Sequence, residues 1–347
     1  MTGSVAADPV TLAVVGAGPC GIGVGIAAHE AGVPCVLIDK GCVAGSIGRY
    51  PTWLTFFSTA ERLEIGGVPF TIAGDKPTRR EAIRYYQRLV RQFRLDVRQY
   101  HEVTEITGAH GDFRLHLRAP DGTGSELRAA NVAVATGYFD HPNRLHVPGD
   151  ESPRVSYGYR EAFPYFQQDC IVVGGGNSAV DAALELHRWH ARVTLVHFEP
   201  GLDPGVKPWV LPDITSRLEA SDIASRFRTR IAEILPGAVV LRHVDTGVPE
   251  TLRNDWILAM TGYMPDPALL RALGVQFDPE TGKPLHDPAT MQTHVHGVFI
   301  AGVIAAGNNA NKVFIENGRD HGGRIVAALA HSTRDAGRPS APRLREV

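Results

Sequence analysis

Val14–Gly21 reads "VVGAGPCG", and Val172–Ala179 repeats the pattern as "VVGGGNSA". Each follows a short apolar run, placing Gly16, Gly18 and Gly21, then Gly174, Gly176 and Ala179, at fingerprint spacing. In such a turn the first glycine makes the bend, the second lets backbone approach a pyrophosphate, and the third small residue lets the helix pack on the strand. Two fingerprints in one chain predict two dinucleotide-binding units, and therefore a flavoenzyme fed by a nicotinamide nucleotide.

Working outward, Thr11 to Val15 is expected as a strand, Ile22 to Ala31 as a helix and Pro34 to Ile38 as the next strand. That order recurs at Cys170 to Val173, Val180 to Trp189 and Arg192 to Val196. "KPTRREAIRYYQRLVRQF" (76–93) carries an apolar helical face. "DVRQYHEVTEITG", "FRLHLRAP" and "ELRAANVAVATG" alternate as an antiparallel excursion ending at Thr136 and Gly137. "WILAMTG" ends in the matching pair Thr261 and Gly262, and both pairs lead into proline-containing passages. Read as two crossings, they predict an α/β chain of two Rossmann-like three-layer domains, the second inserted in the first. The flavin-binding domain is expected at 1–142 and 263–347 and the nucleotide-binding domain at 146–258. "STRDAGRPSAPRLREV" (332–347) reads as a polar, proline-broken tail.

Composition agrees with this division. A chain of 347 residues suits two domains of about 100–200 residues each. Its 35 basic and 37 acidic residues leave a formal charge of −2, which argues for neither a nucleic-acid nor a membrane partner. Cys20, Cys35, Cys42 and Cys170 have neither disulfide-scaffold density nor zinc-ligand spacing, so a reducing setting and no metal are expected. With no signal-like start and no apolar run of about 20 residues, the protein is expected in the cytoplasm.

Asp39, 23 residues beyond Gly16, stands where a carboxylate accepts the ribose hydroxyls of an adenosine. At the corresponding place in the second unit stand His197, Phe198 and Glu199. A carboxylate there leans toward the unphosphorylated NADH, while His197 or Lys207 offers charge to a 2′-phosphate. Asn177 and Ser178 are placed to reach phosphates or to cap a helix. No C-x-x-C pair exists, so electrons must leave the flavin by another route. Cys20, inside the first fingerprint, is either a redox thiol at a helix start or a small packed residue, and Cys42 is its nearest competitor. Tyr50, Trp53, Phe56 and Phe57 form either an apolar wall or core, and Asn308, Asn309 and Asn311 are anchors or caps.

The stretches "GAGPCG", "GCVAGSIGRYPTWLTFFSTAERLEIGGVPF", "KPTRREAIRYY", "GGGNSAVDAALEL", "VKPWVLPDI" and "AGVIAAGNNANKVFIENGRDHG" strongly resemble the bacillithiol-disulfide reductase family. These two-domain flavoproteins are similar to low-molecular-weight thioredoxin reductases. The resemblance implies FAD in the discontinuous domain, NADPH in the inserted one, a small disulfide substrate, a homo-oligomer, and Cys20 as the redox cysteine. It extends the expected flavin site to Pro19 and Lys40, to Ser46, Ile47 and Phe56, to Thr136 and Gly137, and to Gly302, Val303 and Asn308. The chain departs from the family pattern at Phe198, where relatives commonly carry arginine. Similar ferredoxin reductases need no active cysteine and imply a small electron-carrier protein as the alternative partner.

Overall fold

The computed structural model describes residues 8–309 and 312–336. The first βαβ unit is β1 (Val10–Val15), α1 (Pro19–Glu30) and β2 (Cys35–Ile38). Helix α1 starts three residues before Ile22, with Pro19 supplying a preset φ in its first turn. The fingerprint and the first helical turn are therefore the same residues. After the short α2 (Gly45–Gly48) comes α3 (Arg79–Gln92). The α3 start is a capping box: Glu81 N–H donates to Thr78 Oγ1 (3.3 Å), and Thr78 N–H donates to Glu81 Oε2 (2.8 Å). Its buried face is Ala82, Tyr85, Tyr86 and Leu89. Tyr85 and Tyr86 are buried with their hydroxyls satisfied by the carbonyls of Val68 (2.6 Å) and Leu63 (3.1 Å).

Strands β3 (Asp96–Arg98), β4 (Glu102–Ala109), β5 (Asp112–Arg118) and β6 (Gly124–Val134) follow. Only β4 to β6 are antiparallel; Asp96–Arg98, expected in that excursion, lies parallel to β2 instead. Three residues are too few to show an alternation.

The second unit contains β7 (Val155–Ser156), β8 (Asp169–Val173), α4 (Asn177–Arg188), β9 (Arg192–Val196), α5 (Leu211–Glu219) and β10 (Ala224–Arg226). It continues through β11 (Thr229–Leu235), β12 (Ala238–His243), β13 (Pro249–Arg253) and β14 (Trp256–Ala259). A parallel sheet runs β10-β9-β8-β14-β7, and β11-β12-β13 form a separate antiparallel sheet. The chain then adds α6 (Ala268–Ala272), β15 (Val298–Ile300), α7 (Ile315–Gly318) and α8 (His321–Ala336). Ser332 to Ala336, expected in the tail, are helical because no glycine or proline interrupts before Gly337; the rest of that tail and Asn311 lie outside the described residues.

Two compact units result. One takes in the described residues of Met1–Gly48, Thr55–His141 and Met264–Val347, and the other Arg49–Leu54 and Pro142–Tyr263. In the first, the sheet order is β3-β2-β1-β6-β5-β4, with β15 also parallel to β6. Register aligns Val15 with Ile38 and with Val134, and Val134 with Ile300. Four strands thus end at one level, and the residues that follow them share one carboxyl edge, where α/β sheets bind ligands. Helix α8 closes on α1 at a glycine contact: a Cβ on Gly322 would lie 2.5 Å from the Gly23 carbonyl oxygen. No helix among the described residues is long and apolar enough to cross a membrane.

Candidate functional site

At the carboxyl edge of the first sheet the three glycines do different work. Gly16 has φ +116°, and a Cβ there would lie 2.4 Å from the Ala135 oxygen. A Cβ on Gly21 would lie 2.0 Å from the Gly16 oxygen. These two positions are closed by the protein itself. Gly18 is extended (φ −75°, ψ 178°), and a Cβ added to it would meet nothing within 4 Å. The open space lies over the start of α1, whose N-cap residue has no side-chain cap. Backbone donors and helix dipole there suit a pyrophosphate.

Asp39 follows β2 and is held by two backbone donors, Ala17 N–H to Oδ2 (2.7 Å) and Gly41 N–H to Oδ1 (2.8 Å). Each carboxylate oxygen keeps a further lone pair, so the fixed group can still accept two ribose hydroxyls. Thr136 follows β6, and its buried Oγ1 has no hydrogen-bond partner. An orphaned hydroxyl beside an open cradle is the feature a bound polar ligand would satisfy. Gly137 (φ +72°) and Gly302 (φ +76°) turn the chain away after β6 and β15. These residues fit a dinucleotide such as FAD.

Other expected residues are placed less directly. Lys40 pairs with Asp140 at 3.1 Å. Ile47 is buried in α2, with its carbonyl accepting from Arg79 Nε (3.2 Å), while Ser46 beside it is half-buried. Phe56 is half-buried with its N–H on the Pro77 carbonyl (2.9 Å). Val303 is half-buried, and the Asn308 carboxamide packs against Gly282. Trp53, read as wall or core, is 44% exposed, and its indole N–H donates to the Glu185 carboxylate within the second unit.

Cys20 is the second residue of α1. A Cβ on Gly302 would lie 3.0 Å from its Sγ, and one on Gly318 would lie 2.8 Å away, so only glycine permits the sulfur to sit there. Burial pushes the thiol from about 9 up to about 12, outweighing the helix start, which would lower it. In this state Cys20 is a neutral thiol at physiological pH. Burial also pushes Cys35 and Cys170 up to about 12, in keeping with packed roles. All four cysteines are free, and Cys42 lies in the loop before α2.

His321, which the sequence reading passed over, accepts the Gly302 N–H at Nδ1 (3.0 Å) and fixes the turn beside Cys20. Burial, aided by the Arg324 and His286 charges, pushes it down to about 4. The unfolded chain therefore binds the extra proton between about pH 6.5 and 4. Stability from the neutral ring is present in full above pH 6.5 and is lost on acidification, at about 1.4 kcal/mol per pH unit inside that window. Urea melts at pH 7, 5.5 and 4.5 should show a shallower acid loss for His321→Gln than for the parent; equal slopes would remove His321 as a cause.

In the second unit, Gly174 (φ +133°) repeats the close turn: a Cβ there would lie 2.6 Å from the Met260 oxygen and 3.2 Å from the Cβ of buried Ala179. Gly176 is the N-cap of α4, again without a side-chain cap. Asn177 faces away from that role. Its Nδ2 donates to the Gly205 carbonyl (3.0 Å) and its Oδ1 accepts the Lys207 N–H (2.9 Å), tying down the 205–207 loop. Lys207 itself is held by Asp181 (2.6 Å), so it does not swing toward the strand end. Ser178 is exposed at the start of α4.

His197 is 4% exposed, with its ring against Gly175. Its Nε2 lies 3.2 Å from Asp203 Oδ1, but neither ring nitrogen makes a directed hydrogen bond; the contact is electrostatic proximity rather than a bond. The run from the end of β10 into β11 packs beside this strand end and brings arginines that the sequence reading missed. The run "RFRTR" (226–230), with cations at alternate positions, was the available signal.

The chain matches the family described as pyridine nucleotide-disulphide oxidoreductase over residues 13–302. It is 42% identical over 320 residues to bacilliredoxin reductase Bdr of Bacillus subtilis, covering 91% of this chain and 96% of that one. The solved bacillithiol disulfide reductase Bdr from Bacillus cereus superposes with a TM-score of 0.90 at 40% identity, covering 93% of this chain and 99% of the other. That from Staphylococcus aureus does so with a TM-score of 0.88 at 36% identity, covering 94% and 99%. A glycine turn closed against a neighbouring strand end in both units, open at Gly18 in the first, and likeness to relatives along nearly the whole length lead to one assignment: the chain is an oxidoreductase of the pyridine nucleotide-disulphide oxidoreductase family, in its bacillithiol disulfide reductase branch.

Proposed function

We propose that this chain is an FAD-dependent, NADPH-consuming reductase of bacillithiol disulfide. The observation that carries the reading is Cys20 in the first turn of α1, its sulfur against Gly302 and Gly318, at the edge where Gly18 and Thr136 leave room for a dinucleotide. FAD is assigned to 1–142 and 263–347, and the nicotinamide nucleotide to 146–258.

Within this reading Asp39 orients the adenosine ribose, and the α1 start and the space over Gly18 receive the pyrophosphate. Thr136 Oγ1 supplies a further polar contact, and His321 keeps Gly302 turned so that the sulfur stays packed. Bound FAD and NADPH supply the two electrons that the reaction needs. Cys20, once deprotonated, attacks one sulfur of the substrate: a Cys20–S bond forms, the substrate S–S bond breaks, and one bacillithiol leaves as thiolate. Two electrons and a proton then free the second bacillithiol and restore Cys20. Because burial keeps the resting thiol neutral, its proton must leave for each attack. We place the protein in the cytoplasm as a homo-oligomer, a state light scattering measures directly.

The test is turnover by the purified, FAD-reconstituted chain with NADPH and either bacillithiol disulfide or a ferredoxin-type carrier. Disulfide-dependent NADPH consumption is expected. Fast carrier reduction without disulfide reduction would replace the reading with the carrier-reductase alternative.

A further inference from the structure

The proposed reading of the second unit leaves one chemical problem. NADPH differs from NADH by a 2′-phosphate, which meets the residues just beyond the second strand of a nucleotide-binding unit. Here those residues are His197, buried; Phe198, uncharged; and Glu199, an anion. The strand end itself offers a dianion nothing.

The cations come from residues 226–230, which end β10 and open β11. Three backbone bonds lay this run along the strand end: His197 N–H to the Arg226 carbonyl (3.0 Å), Arg228 N–H to the Glu199 carbonyl (2.9 Å) and Thr229 N–H to the His197 carbonyl (3.0 Å). Of the three arginines delivered, two are already neutralised. Arg226 grips Glu250 with two 2.8 Å bonds, and Arg228 pairs with Asp245 at 2.8 Å. Arg230 has no carboxylate partner among the described residues. Its guanidinium lies over the Phe198 ring, with Cζ 4.2 Å from the centroid. Stacking fixes the plane of the guanidinium while leaving its N–H edges available, the arrangement suited to bidentate phosphate binding. The cross-strand neighbour of Arg230 is Arg242, which donates only to the Gly247 carbonyl (3.1 Å) and adds to the positive field.

We propose that Arg230, held on the Phe198 ring, binds the 2′-phosphate of NADPH and sets this chain's preference for the phosphorylated nucleotide. Phe198 thus serves as the platform for a guanidinium supplied by a neighbouring strand. The inference rests on the second unit taking a nicotinamide nucleotide.

Calorimetric titration of the FAD-reconstituted full chain with NADP+ and NAD+ tests it without turnover. The parent should bind NADP+ at least about tenfold more tightly than NAD+, and Arg230→Ala should lower that ratio about ten- to hundredfold. Arg230→Lys should restore part of the ratio, and Phe198→Ala should lower it with the arginine still present. Rising salt should weaken NADP+ binding more in the parent than in Arg230→Ala. An unmoved ratio in a variant with parental flavin content and melting temperature overturns the assignment, as does equal loss of both nucleotides. If the parent binds neither, the nucleotide reading of the unit fails first and Arg230 with it.

Discussion

Gly18→Val is expected to yield a folded protein that has lost its flavin. The position is extended, in backbone space open to any residue, and nothing lies within 4 Å of the added Cβ. The fold therefore loses only about 1 kcal/mol, the cost of an apolar N-cap. The space that the branched side chain fills is the space assigned to the pyrophosphate, whose close approach no β-carbon permits. FAD affinity should fall at least about a hundredfold, about 2.7 kcal/mol. Gly16→Ala and Gly21→Ala are expected to behave otherwise: each drives a Cβ into a backbone oxygen, at 2.4 and 2.0 Å, so the strand–helix packing itself must give way. Flavin absorbance of the purified variants, read beside their thermal melts, separates the two outcomes. A yellow, fully loaded Gly18→Val protein would remove the dinucleotide from this cradle.

Cys20→Ala and Cys20→Ser are expected to abolish bacillithiol release, by at least about a thousandfold, on the scale of losing a covalent nucleophile. Both should keep FAD, and both should still bleach its oxidised band when mixed with NADPH. Serine preserves shape between Gly302 and Gly318 but supplies no thiolate, so it should fail as completely as alanine. The ionisation near 12 adds a pH signature. If the resting environment persists through turnover, the thiolate fraction and the rate climb about tenfold per unit between pH 7 and 9. A flat profile would place proton loss in a differently charged state of the site. Parental disulfide reduction by both variants would make Cys20 a packing residue and send the electrons elsewhere.

The fingerprints were legible because steric rules dictate them: only glycine tolerates φ +116° at Gly16 or +133° at Gly174 with backbone oxygens so near. The place of Asp39 just beyond β2 was legible from spacing alone. Helix starts were misjudged by three residues because a glycine-rich turn and a first helical turn look alike in sequence. Asn177 has the composition of a cap, but its choice of the 205–207 loop depends on a chain segment about thirty residues away. His321 and Arg230 were invisible for the same reason. One acquires its role from the Gly302 amide and the other from a ring in the loop beyond another strand. Trp53 is flanked in sequence by segments of the first unit, yet it belongs to the second and bonds Glu185 there, a partnership that local pattern does not encode.

The pairing of β15 with β6 sets a timetable for synthesis. Val132 and Val298 are register partners, so the edge that carries Thr136 and Gly302 is incomplete until the later strand leaves the ribosome. At about 5–20 residues per second that wait is roughly 8–30 s. During it β6 offers an unpaired side and α1 lacks the helix that meets it at Gly23, while the second unit has all its sheet strands and can form first. A growing chain therefore carries its second unit finished and its first unit half-built, exposing apolar strand surface to chaperones until α8 arrives.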